Sequence, residues 1–177
     1  MAKLVHLNGP PSIGKSTLSA LYVDRHVGAL NLNVDALHLL VGGWQDESTD
    51  TWQVVWPLVR AMAATQLDGG GDVVLPHYFG RVEEITEFEK LAREHGAGFH
   101  EVVLLDDRAA AIERFDRRAR DSNDPWIQYH HGRVGPERLG RMYDDLMEVV
   151  RQRSGAVVVR SVLGAVEETY ELLMAAL

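Results

Sequence analysis

The chain contains no cysteine, which excludes disulfide staples, thiolate zinc sites and cysteine nucleophiles. Lysine is nearly as scarce: Lys3, Lys15 and Lys90 stand against fifteen arginines. Cationic residues are outnumbered overall, 18 Lys+Arg to 26 Asp+Glu, for a formal net charge of −8. A protein that coats nucleic acid or binds an anionic membrane needs net positive charge to reach phosphates, so neither partner is expected; one local basic pocket for a nucleotide remains compatible. No run of 18 apolar residues occurs, and the apolar stretch ending at Asn8-Gly9 is too short for a signal peptide, so a cytoplasmic protein is expected. Repeats, low-complexity tracts and Pro/Ser linkers are also missing. What is present, 177 residues with 46% hydrophobic and 25% charged, suits a single domain spanning 1–177 around one continuous core.

Short β-branched runs alternate with longer helical patterns, which predicts βαβ units and a parallel sheet. Strands are expected at 3–8, 29–34, 72–75, 99–105 and 156–159. Between them, helices are expected at 15–27, 50–67 (interrupted by Pro57), 83–95, 108–120, 136–153 and 166–176. Residues 122–135 show no periodicity and read as a loop. Five strands with right-handed crossovers predict a doubly wound α/β fold, whose strand order these patterns alone do not reveal.

The segment Gly9-Pro10-Pro11-Ser12-Ile13-Gly14-Lys15-Ser16-Thr17 fits G-x-x-x-x-G-K-S/T, placed after a strand and opening a helix. Gly9 and Gly14 let the backbone curl until successive N–H groups face inward as an anion nest. The helix start adds its positive dipole end. Lys15 is expected on the β- and γ-phosphates of a nucleotide, and the Ser16 hydroxyl is a hard oxygen ligand for Mg²⁺. A GTPase would also show N-K-x-D, which is absent. Motor and AAA-type ATPases usually need more chain and an acidic residue on the third strand, where this chain has Pro76-His77-Tyr78-Phe79.

With that loop and this order of elements, the chain resembles the small P-loop kinases: shikimate, gluconate and adenylate kinases, and above all chloramphenicol phosphotransferase and the tunicamycin-resistance ATP-binding proteins. The loop is the only highly specific motif in the resemblance; the rest is positional. The resemblance implies a P-loop NTPase sheet of order 2-3-1-4-5, ATP as donor, and an acceptor site between the end of the second strand and a mobile lid. The tunicamycin-resistance proteins likewise have Pro after the third apolar run. Mg²⁺ is then expected to rest on Ser16, phosphates and water, and strong ATPase activity without acceptor is not expected.

Asp35 lies just past the second strand, at the sheet edge where ligands bind. A carboxylate there can orient an acceptor hydroxyl and take its proton. Asp also caps helices, so a cap for a helix through 36–40 is the competing reading. The chloramphenicol kinases carry a Val-Asp at this point too. Arg114, Arg117, Arg118 and Arg120 cluster before the expected lid; Arg114 and Arg118 share a helical face. In adenylate-type kinases such a pair precedes the lid, which implies Arg114 on the adenine and Arg118 on the phosphates; Arg120 is a further catalytic candidate. The competing reading is a solvated face pairing with Glu113 and Asp116. Asp106-Asp107 reads as a helix cap.

A lid is expected at about 121–136, carrying Trp126, Tyr129, His130, His131 and Arg133, to exclude water from the transfer. Acceptor contacts are expected from Asp35, Trp44, His77, Tyr78 and Arg81, with Trp56 in the core. The sequence thus predicts an ATP- and Mg²⁺-dependent kinase acting on a hydroxyl of a small molecule, with an antibiotic among the candidates. A nucleoside or nucleotide kinase is one alternative, for which only Arg60 and Arg81 are placed to meet an anionic acceptor. A non-catalytic, nucleotide-dependent drug-sequestering protein is the other.

Overall fold

The computed structural model describes residues 1–46, 48 and 50–177, apart from the side chain of Pro125. Five parallel strands, β1 (Lys3–Asn8), β2 (Leu30–Asn31), β3 (Val73–Pro76), β4 (Gly98–Leu105) and β5 (Val157–Arg160), form one sheet of order β2-β3-β1-β4-β5. This is the order that the kinase resemblance implies. The helices are α1 (Lys15–Arg25), α2 (Val34–His38), α3 (Trp52–Asp68), α4 (Val82–Glu94), α5 (Arg108–Asp121), α6 (Pro125–Arg133), α7 (Pro136–Gln152) and α8 (Val166–Ala175).

Alternation along β1 divides the core. Val5 and Leu7 point to one face and pack with Leu18 and Tyr22 of α1 and Leu173 of α8. Leu4 points to the other, against Val55, Val59 and Ala63 of α3 and Ile85 and Phe88 of α4. All these side chains are buried, each worth about 1.5–3 kcal/mol for the large aliphatics. Because every strand pairing is parallel, the C-terminal ends of all five strands lie along one edge of the sheet.

Three sequence expectations need correction. The second strand, expected over 29–34, has only two residues, because Asn33 turns the chain: its side chain accepts from the Ala36 amide and opens α2. Asp35 thus lies in the first turn of α2 and does not cap it. Residues 122–135 are not a loop, since the Asp124 side chain accepts from Trp126 N and Pro125 begins α6. Finally, α3 continues through Pro57.

Candidate active site

The loop between β1 and α1 is shaped by two glycines in backbone conformations that L side chains rarely adopt. Gly9 has φ 147°, and a Cβ there would meet the Leu104 carbonyl oxygen at 2.6 Å. Gly14 has φ 109° and caps α1, whose first amides are left for a ligand. Ser12 sits at φ 65°, a left-handed conformation costing a non-glycine residue about 1 kcal/mol. The loop is fastened at both ends. Buried Asn8 accepts from Gly9 N at 2.9 Å and Phe79 N at 3.0 Å through Oδ1, and donates to Phe79 O at 3.0 Å. From β5's end, the Ser161 hydroxyl donates to Ile13 O at 2.7 Å. Sequence reasoning missed both clamps, which join the loop to the segments following β3 and β5.

The Lys15 ammonium donates to Gly9 O (2.8 Å) and Pro10 O (2.9 Å), folding back across the loop it serves. Burial pushes its pKa down to about 8; Asp35 counters that shift and Arg118 adds to it. These loop carbonyls solvate an ammonium that has no carboxylate in contact among the described residues, and incoming phosphate oxygens would offer it a stronger acceptor. Ser12, Gly14, Lys15, Ser16 and Thr17 line a cavity of about 640 Å³, while Gly9, Pro10 and Ile13 lie buried behind them. The donor set fits a triphosphate with its cation: inward amides, a cation, and the accessible Ser16 hydroxyl. Among the described residues no three His, Asp or Glu side chains gather to hold a metal on their own.

Asp35, Trp52, His77, Tyr78, Arg118 and Trp126 line the same cavity. Asp35 and Arg118 are both close enough to perturb Lys15. His77 is held neutral, its pKa lowered by burial to about 4, with Asp35 opposing the shift. Its carbonyl accepts from His6 Nε2 at 3.0 Å. The Tyr78 hydroxyl donates to Met142 O at 3.0 Å. Burial also lowers the pKa of His130.

Other expected site residues lie elsewhere. Arg81 is exposed and pairs with Glu84 at 2.8 Å. Arg120 is exposed, and its nearest bond is a long 3.4 Å contact to Asp116 O within its own helix. Neither lines the cavity. Trp44 also stands back from it, edge-on to Trp126 (centroids 5.6 Å apart) and Tyr129 (5.3 Å). Trp56 packs among His77, Phe79 and Phe88, the core position expected of it. Arg114 is buried, donating to Asp106 Oδ2 at 2.6 Å and Ser161 O at 2.7 Å. It is therefore not part of a solvated face; it ties α5 to the segment after β5. Asp107 is the N-terminal flank of α5, without a side-chain cap bond, while Asp106 is taken by Arg114. In α6, His131 bonds Asp116 at 3.1 Å and stacks on Phe115.

Parallel order 2-3-1-4-5, a glycine-shaped anion loop and a cavity over the strand ends define a P-loop nucleotide-binding protein of kinase-like fold. The chain belongs to the AAA-domain family, whose model matches residues 4–130. Its solved neighbours include the Deinococcus radiodurans tunicamycin resistance protein (TM-score 0.63, 16% identity, covering 99% of this chain and 95% of that one). A gluconokinase from Sinorhizobium meliloti 1021 matches at TM-score 0.62 and 18% identity over 99% and 90%. A chain of the Pnkp1/Rnl/Hen1 RNA repair complex matches at TM-score 0.74 and 16% identity over 87% of this chain, which spans only 47% of that one. No curated protein sequence matches. Among the described residues no helix is long and apolar enough to cross a membrane.

Proposed function

We propose that the protein transfers the γ-phosphoryl group of ATP to a hydroxyl of a small molecule, and that an antibiotic belongs among the first acceptors to test. The observation that carries this reading is the meeting of Lys15 and Asp35 across one cavity, phosphate loop on one side and carboxylate on the other. Residues 9–17 cradle the phosphates, and Ser16 would hold a Mg²⁺, which would supply neutralisation of phosphate charge. Asp35 orients the acceptor hydroxyl and takes its proton as the new oxygen–phosphorus bond forms. The bond from γ-phosphorus to the β,γ-bridging oxygen breaks, and ADP leaves. Arg118 stabilises charge developing on the transferred group. The segment 121–136 acts as a lid, with α6 excluding water.

The nucleotide-kinase alternative loses its supports, since Arg60 contacts Glu87 at 3.9 Å, Arg81 pairs with Glu84, and neither lines the cavity. The sequestering alternative is separated by experiment. Asp35→Asn should keep Mg²⁺-ATP affinity within about 3-fold yet lower the single-turnover rate roughly 10²–10⁴-fold, the range for a lost general base. A normal rate at saturating substrates removes Asp35 from the mechanism. Binding of acceptor with no ADP release in the wild type makes the protein a binder.

A further inference from the structure

The acceptor end of the cavity has a wall of unusual make-up. Trp52 comes from α3 and Trp126 from α6, elements far apart in sequence, yet both line it. Between them sits buried His38, 4.1 Å from the Trp52 ring and 5.5 Å, edge-on, from that of Trp126. Its Nε2 is tied to the Thr51 hydroxyl at 2.6 Å. Behind Trp52 stacks Trp56 at 5.8 Å; behind Trp126 stands Tyr129 at 5.9 Å. Two indoles are thus held by ring contacts, one on α3 and one on α6, and both stay partly exposed while lining the cavity.

The charge on this wall is as selective as its shape. Two carboxylates, Asp35 and Asp124, line the cavity together with His77 and His130, whose pKa values burial lowers. Lys15 belongs to the phosphate loop, and Arg118 lies near enough to perturb it. An anionic acceptor would approach both carboxylates and the γ-phosphate.

We infer that the acceptor is an uncharged alcohol bearing a flat unsaturated ring, which packs on Trp52 and Trp126 while its hydroxyl faces Asp35. This rests on the kinase reading above and narrows it to a substrate class. Flat rings are what indole faces recognise with least demand on hydrogen bonding.

The test measures binding apart from turnover. With the protein saturated by a non-hydrolysable ATP analogue and Mg²⁺, thermal shift and tryptophan fluorescence are titrated with matched probes: benzyl alcohol against mandelate, uridine against uridine monophosphate, and methyl glucoside against gluconate. The expected result is that benzyl alcohol or uridine binds at least 10-fold tighter than its anionic partner and than methyl glucoside. That binding should weaken about 10- to 100-fold in Trp52→Ala and in Trp126→Ala, while Trp52→Phe and Trp126→Phe, which keep a ring, retain most of it. The inference is overturned if mandelate, uridine monophosphate or gluconate binds as tightly as its partner, if neither ring alcohol binds, or if both alanine variants bind normally. Ring-dependent binding without phosphorylated product on addition of ATP keeps this inference and sinks the transfer reading, so the two fail separately.

Discussion

The two ends of the cavity are built by different means. At the phosphate end, the loop hangs from hydrogen bonds: Asn8 on one side, Ser161 on the other, Lys15 across the middle. At the acceptor end almost every fastening is a ring contact, from Trp56 through Trp52 and His38 to Trp126 and Trp44. Phosphate is bound by directional donors fixed in advance, which water would otherwise compete for. A ring-lined wall specifies shape and dryness and tolerates many hydroxyl compounds. The difference teaches that donor chemistry and acceptor choice are separable here, one residing in backbone geometry and the other in side-chain surfaces.

Breaking the phosphate end should do most. Lys15→Ala is expected to lower acceptor-dependent ADP release by about 10³-fold or more, at or above the top of the range for loss of one oxyanion donor, with the circular dichroism spectrum unchanged. Asn8→Ala tests the junction of the ends, since Asn8 bonds both Gly9 and Phe79. Loss of three buried hydrogen bonds should cost about 2–4 kcal/mol in urea unfolding. If it leaves stability unchanged, the loop is held by something other than this clamp. Arg118→Ala should lower the single-turnover rate about 10²-fold with a small change in ATP affinity, because its contact strengthens as charge develops. An equal loss in affinity would assign it to ground-state binding.

The smallest effect sharpens the acceptor end. His6 and His77 have folded pKa values lowered by burial to about 3 and about 4. The unfolded chain therefore binds protons first, and stability present above pH 6.5 is lost as pH falls toward 4. Urea unfolding should show a loss of about 2 kcal/mol between pH 7.5 and 5.5, and His77→Asn should flatten that slope. A pH-independent stability would mean these rings are not kept neutral by the fold.

Much of this was legible beforehand, for a physical reason. The phosphate loop is a local device: residues 9–17 prescribe its backbone, so motif and structure coincide. Strand and helix positions followed from periodicity, and Asp35 from the sheet edge, although Asn33 and not Asp35 proved to cap α2. The misses are tertiary. Spacing on α5 offered Arg114 an adenine or a solvated face, and did not show Asp106 and the Ser161 carbonyl closing on it from two other segments. Helix α6 escaped because Gly132 and paired histidines leave no apolar period, while its start is set by Asp124. Trp126 could be placed in the lid but not opposite Trp52, which only folding brings about. Arg81 and Arg120 fell outside the cavity because side-chain direction is not carried by spacing alone.

The most direct test of the central claim is transfer of labelled γ-phosphate. The protein is incubated with Mg²⁺ and γ-labelled ATP in the presence of uncharged, ring-bearing alcohols, antibiotics included, and the small-molecule fraction is followed over time. The account predicts that label appears on a hydroxyl of one of these compounds in step with ADP, that it disappears in Lys15→Ala, and that it slows at least 10²-fold in Asp35→Asn. Label released only as inorganic phosphate, at a rate no alcohol changes, would contradict it.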